Sequence, residues 1–337
     1  MSETVNSGPN LYPVLHDRYG DLEEMAAAVR NAAVEYIPLE RASRFDGELM
    51  QVDLDHVTLQ ASVGAPPHMT RAAVLPGIQT FVMLRGGGPC TLNGHTVRDT
   101  EMLHYRPGAE HFAHVARPVS LALVSIPEER FARRWATITG EPQPALAESC
   151  TLLRPATEIR RLLSDLVERA LKVAALSPDA FACPEARRAL AEELETTLIV
   201  AAHEARQVPR RGSGADSYGR IVSRADDVLR ARLKEPVYVA ELCHELEIPE
   251  RTLRRAFERT FAISPIRYLK MRRLGLVHRA LREADPARTL VSDLAARHGF
   301  WELGRFAGEY RRLFGEKPSE TLRRRQSQAS PEPQPVS

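Results

Sequence analysis

Val239-Ala240-Glu241-Leu242-Cys243 returns 52 positions further on as Val291-Ser292-Asp293-Leu294-Ala295. Downstream the apolar landmarks repeat with a spacing of 53: Phe257 with Tyr310, Phe261 with Phe314, Pro265 with Pro318, Leu269 with Leu322. Self-similarity at this period marks a duplicated supersecondary unit. Each copy reads as a short helix, a tight turn and a second helix with apolar residues four apart. These are Leu253 and Phe257 in the first copy, Phe306 and Tyr310 in the second. The second turn holds Gly299, and the small Cys243 or Ala295 stands where the two helices must approach closely. Two helix-turn-helix units are the expectation.

Between them, Ser264-Pro265 opens a helix as cap and first-turn proline, and Asp285-Pro286 stops it after about Arg282. Such a helix is roughly 27–30 Å long. Successive major grooves on one face of B-DNA lie about 34 Å apart, so a rigid connector of this length presents two helices to neighbouring grooves. Charge agrees: residues 217–325 hold 24 Lys and Arg against 15 Asp and Glu, whereas 1–216 hold 22 against 28. A basic block on an acidic partner points to a polyanion, although a solvated basic face gives the same count.

Upstream, Asp21 caps an expected helix over 21–36, with Met25, Val29 and Ala32 or Ala33 at helical spacing. From Phe45 to Ile126 the pattern turns to short β-type runs, 49–54, 57–63, 79–84 and 121–126 among them, with an Asn93-Gly94 hairpin turn. Two amphipathic helices follow over 157–175 and 185–206. The fold class expected is α+β, a strand-rich domain over 1–206 and an all-α domain over 217–325. A breaker-rich linker, 207–216, joins them, and a tail with three prolines, 326–337, should be disordered. Of the 337 residues 43% are hydrophobic and 27% charged, as in an ordinary soluble protein. The four cysteines are scattered without zinc spacing, and the N-terminus lacks a signal-peptide pattern. No apolar run is long enough for a membrane span. These features predict a cytoplasmic protein. No Ser/His/Asp motif, phosphate loop or dinucleotide fingerprint occurs, so neither an enzyme nor a cofactor is expected.

The C-terminal third closely resembles the DNA-binding domain of the AraC/XylS family of bacterial regulators. The resemblance is carried by Arg251-Thr252-Leu253-Arg254-Arg255-Ala256-Phe257, Ser264-Pro265-Ile266-Arg267-Tyr268-Leu269 and Arg272-Arg273-Leu274. The second unit adds Leu294-Ala295-Ala296-Arg297-His298-Gly299-Phe300, Leu303-Gly304-Arg305-Phe306-Ala307, Tyr310-Arg311-Arg312-Leu313-Phe314-Gly315 and Lys317-Pro318-Ser319-Glu320-Thr321-Leu322. Four positions depart from the pattern. Pro249 replaces a capping Ser, Glu247 and Ala262 replace glycines, and Gly308 stands where relatives carry a longer side chain. The resemblance implies a cupin-like β-barrel with flanking helices upstream and two helix-turn-helix units joined by a long helix downstream. It further implies an activator of a catabolic operon that contacts double-stranded DNA, RNA polymerase and a small-molecule effector, an aromatic acid or small amine.

Arg251, Arg254 and Arg255 lie opposite the Leu253–Phe257 face, and arginine suits the O6/N7 edge of guanine. The family pattern points to Arg251, Arg255 and Arg305 as base readers; Arg254 and Glu302 are further candidates. Lys270, Arg272, Arg273 and Arg323–Arg325 read as phosphate neighbours or surface charge. Trp301 reads first as a plug between helices, with a groove contact as the alternative. Upstream, Arg85, Arg106 or Arg117 would pair with an effector carboxylate and Phe81 or Tyr105 would stack on a ring; surface ion pairs and core packing are the competing readings. A metal-dependent cupin enzyme is the rival for this half. However, His104, His111 and His114 lack the His-x-His spacing, and three positions apart on a strand puts two rings on opposite faces. A ligand-independent regulator is a further alternative. The helices at 157–206 form either a homodimer seam or packing within the chain.

Overall fold

The computed structural model describes residues 13–20, 22–39, 47–63, 67–88, 90–143, 149–207, 215–232 and 237–328. The expected Asp21 cap, the linker interior 208–214 and the tail from 329 lie outside the described residues. The chain begins β1 (Val14–Tyr19), α1 (Leu22–Ala28), β2 (Ala32–Pro38), β3 (Gly47–Asp53), β4 (Thr58–Val63), β5 (His68–Val74) and β6 (Ile78–Gly86). It continues with β7 (Cys90–Leu92), β8 (His95–Val97), β9 (Met102–Tyr105), β10 (Glu110–Val115) and β11 (Ser120–Pro127). Then come α2 (Glu128–Thr139), β12 (Cys150–Arg154), α3 (Thr157–Leu176), α4 (Pro184–Glu204) and β13 (Arg206–Gln207).

These strands form two antiparallel sheets, one ordered β1-β3-β4-β11-β6-β9-β12-β13 and the other β2-β5-β10-β7-β8. The period of two sorts their side chains. Val82, Leu84, Leu103 and Tyr105 of the large sheet meet Val74, Leu92, Ala113 and Val115 of the small one in an inner core. Phe81, Met83, Met102 and Val124 face the other way, onto α2, α3 and α4. The β7–β8 turn places Asn93 and Gly94 at φ 46° and 75°, the left-handed pair that a tight hairpin requires.

The helix expected over 21–36 is a correction. It ends at Ala28, Asn31 adopts a φ of 62°, and 32–38 becomes strand β2 paired to β5. The local alanines favour a helix, but Ile37 is buried from outside the sheet by the helical C-terminal part. Tertiary burial overrides propensity there.

That part comprises α5 (Ala215–Ala231), α6 (Val239–Glu245), α7 (Glu250–Phe261), α8 (Pro265–Glu283), α9 (Val291–Arg297), α10 (Leu303–Phe314) and α11 (Pro318–Gln328). Its core, Leu242, Leu253, Phe257, Tyr268, Val277, Phe306 and Tyr310, is continuous with Ile37, Met69 and Phe112 on the outer face of the small sheet. Phe112 of β10 meets Phe261 of α7 edge-on at 5.6 Å. Asp226, fully buried on α5, ties the two parts together. It forms an ion pair with Arg71 of β5 at 2.6 Å, accepts hydrogen bonds from Arg230 at 2.9 Å and Tyr268 at 3.1 Å, and pairs with Arg272 of α8.

Candidate nucleic-acid interface

Two helix pairs, α6–α7 and α9–α10, precede and follow α8 in the chain. Ser264 caps α8, its hydroxyl accepting from the Arg267 N–H, with Pro265 in the first turn. Its 19 residues make a rod of about 28 Å. The turns repeat as well: Glu247 and Gly299 occupy left-handed backbone at φ 54° and 77°, Ala262 and Gly315 at 55° and 78°. The first copy therefore carries two side chains where the second has glycines, at a cost of about 1–2 kcal/mol each. Pro249 precedes α7 without a side-chain cap, and the helix still starts at Glu250. Tyr310 closes the second pair: its hydroxyl donates to Thr321 Oγ1 at 2.8 Å and lies 2.7 Å from His278 Nδ1.

On α7, Leu253, Ala256, Phe257 and Phe261 are buried. Arg251, Arg254 and Arg255 are exposed on the opposite side. Among the described residues these three guanidinium groups form no ion pair or side-chain hydrogen bond, so one cationic face stands open on one helix. The second pair differs. Arg305 is exposed on α10, but its guanidinium lies 3.3 Å from Glu309 and 3.9 Å from Glu302. Glu309 also holds Lys270 of α8. Any outside partner of Arg305 competes with an internal carboxylate.

Three expectations on this surface are corrected. Arg272 is not a surface charge; it is buried against Asp226, 46 positions upstream. Arg273 is half-buried and stacks over Tyr238 and Phe300, 5.9 and 5.4 Å from the ring centroids. Trp301 is no plug: it is 75% exposed just before α10, and Phe300 fills the space between the helices instead. Arg323 is exposed.

The sheet-rich part scatters the residues considered for an effector. Phe81 is buried on the helix-facing side and stacks on His104 at 4.4 Å. Tyr105 is buried on the opposite side of the same sheet, its hydroxyl 2.7 Å from His111 Nδ1. Arg85 forms a bidentate pair with Glu168 of α3 at 2.7 and 2.8 Å, beside a cleft of about 1190 Å³. Arg106 and Arg117 are exposed. Of the four residues Phe81, Arg85, Tyr105 and Arg106, only Arg85 lines that cleft among the described residues. The histidines diverge too: His104 points at the helices, His111 into the inner core, and His114 lies outward, near Arg267. Burial holds His104 neutral, its pKa pushed down to about 3, with Arg106 adding to the effect. Burial, then the neighbouring His68, takes His111 down to about 4. Sequence reasoning missed Tyr36 and His68, which meet edge-on at 4.8 Å. Only the β2–β5 pairing brings them together.

A family model described as a helix-turn-helix domain matches residues 242–324. A probable thc operon regulatory protein of Rhodococcus erythropolis is 38% identical over 149 residues, 44% of this chain and 44% of that protein. XylDLEGF operon transcriptional activator 2 of Pseudomonas putida is 30% identical over 117 residues, 34% of this chain and 72% of that protein. The crystal structure of the AraC-like transcriptional activator CuxR aligns over 77% of this chain and 93% of its own, at 15% identity and a TM-score of 0.41. The chain thus spans less than half the length of the Rhodococcus relative.

Proposed function

Because the chain belongs to the AraC/XylS family of bacterial transcription regulators, we propose that it reads two successive major grooves with α7 and α10 and activates a catabolic operon. One observation carries this reading: a rod of 19 residues spaces two helix pairs, and α7 turns three unengaged arginines to solvent. Phosphate contacts by surrounding cations would set orientation, and Arg251, Arg254, Arg255, Arg305 and Glu302 would address base edges. Residues 217–325 form the DNA-binding domain in this account and 1–206 a cupin-like effector domain.

The effector, a small aromatic acid or amine, would act by linkage, through its differential affinity for two arrangements of the domains. Strand β10 offers the route. His111 faces the inner core, while the next residue, Phe112, touches Phe261 on α7. Exposed Leu162, Val173 and Leu176 on α3 support a homodimer seam. RNA polymerase is the partner that activation requires, and the site of action is the cytoplasm.

The test is selection of duplexes from a random pool by the full chain at physiological salt. The reading expects one enriched sequence with two half-sites about one helical turn, 10–10.5 bp, apart. Recovery of a pool without base preference would overturn it.

A further inference from the structure

The two reading helices carry opposite chemistry. With the repeat aligned at a spacing of 53, Arg251 and Arg255 of α7 correspond to Gly304 and Gly308 of α10. Half-buried Ile248 corresponds to Trp301, which is 75% exposed, and Glu250 corresponds to Leu303, which is 45% exposed. The second helix has thus exchanged hydrogen-bonding cations for a smooth backbone with large apolar side chains at its N-terminal end. That end of a recognition helix meets base edges.

Nothing among the described residues accounts for the exchange. A Cβ built on Gly304 or Gly308 would meet no atom within 4 Å, so neither glycine relieves a clash. Each weakens the helix relative to alanine. The exposed parts of the Trp301 indole and the Leu303 side chain gain nothing for folding either. Exposed Arg311 and Arg312 sit further along the same helix, so the apolar end is continuous with a cationic surface suited to a nucleic-acid backbone. In the major groove the apolar feature of a base edge is the C5-methyl of thymine.

We propose that Trp301 and Leu303 read thymine methyl groups, so that the α10 half-site is specified by thymines and the α7 half-site by guanines. The inference rests on the DNA-binding reading above. The missing side chains at Gly304 and Gly308 let the helix backbone settle deep enough for Leu303 to touch the methyl. Arg305, released from Glu309, and Glu302 at the helix start remain the polar readers there.

The test pairs the full chain with the duplex it selects and with copies in which single thymines are replaced by uracil, which lacks only the methyl. Fluorescence anisotropy gives Kd for wild type, Leu303→Ala and Trp301→Ala. One methyl removed from an apolar contact should weaken wild-type binding about fourfold at one or two thymines of a single half-site. The variants should bind the thymine duplex more weakly and lose sensitivity to uracil at those positions. Circular dichroism of the variants establishes that they are folded; because both residues are exposed, their fold should be unchanged. Specific binding that tolerates uracil everywhere overturns the inference while leaving the regulator reading intact. Activation lost without any change in Kd would also overturn it, assigning the patch to a protein partner. Failure to select any duplex is a different result and refutes the reading beneath it.

Discussion

Replacing Asp226 with alanine should cost the protein more than any other single carboxylate removed from its surface or core. Asp226 is fully buried and collects Arg71, Arg230, Arg272 and the Tyr268 hydroxyl. The four partners do not lose equally. Arg230 is 45% exposed and keeps Glu35 at 3.0 Å. Arg71 keeps Glu110 at 3.0 Å and Asp227 at 3.7 Å. Arg272, only 5% exposed, is left as a buried cation without its partner. Removing one member of such a pair costs about 3–5 kcal/mol. Against a typical total of roughly 5–15 kcal/mol, the helical part would be close to unfolding.

Urea denaturation followed by circular dichroism measures the loss, while fluorescence of a Trp301→Phe background, which leaves Trp135 on α2 as the one tryptophan, reports on the sheet-rich part. The dichroism midpoint should fall by the full amount and the Trp135 transition by less. The double variant Asp226→Ala/Arg272→Met should recover much of the loss, since a packed apolar pair replaces a buried charge. A single-variant loss below about 1 kcal/mol, the scale of a surface ion pair, would refute the account of the network. So would a double variant no better than the single.

Acid should destabilise the sheet-rich part through His104 and His111. Their folded pKa values of about 3 and 4 lie below the free value, so the unfolded chain takes up protons first. Stability is complete above pH 6.5 and falls by on the order of 1 kcal/mol per pH unit per ring towards pH 4. Urea midpoints between pH 7 and 5 should show this, with a shallower slope in His104→Gln. Gly308→Ala should raise stability by about 1 kcal/mol in thermal melts and still weaken binding to the selected duplex; unchanged affinity would place Gly308 away from DNA. Arg305→Ala should relax base preference at one operator position in a repeated selection, and uniform weakening across all sequences would reassign Arg305 to phosphate.

The helical third was legible because its signals are local. The Val239 and Val291 repeat, the Ser264-Pro265 start and the Asn93-Gly94 turn each fix their neighbourhood within a few residues, and 157–176 follows one apolar stripe. What escaped reading depends on partners far away in the chain. Strand β2 looks helical until β5 and α8 are placed beside it. Arg272 looks like surface charge until Asp226 is brought against it. Trp301 looks like core because tryptophan usually is, yet Phe300 already occupies the gap. The effector residues suffered most. Residue type alone groups Phe81 with Tyr105, whereas strand alternation sends them to opposite faces of one sheet.

Missing-nucleoside interference on the selected duplex, which reports contacts to every base, run with wild type, Arg255→Ala and Arg305→Ala, tests the central claim most directly. Two interfering blocks on one face of the helix, centred about 10 bp apart, are expected. Arg255→Ala should erase signal from one block only and Arg305→Ala should affect only the other. A single block, or both blocks fading together in each variant, would contradict two helices read side by side from one rigid connector.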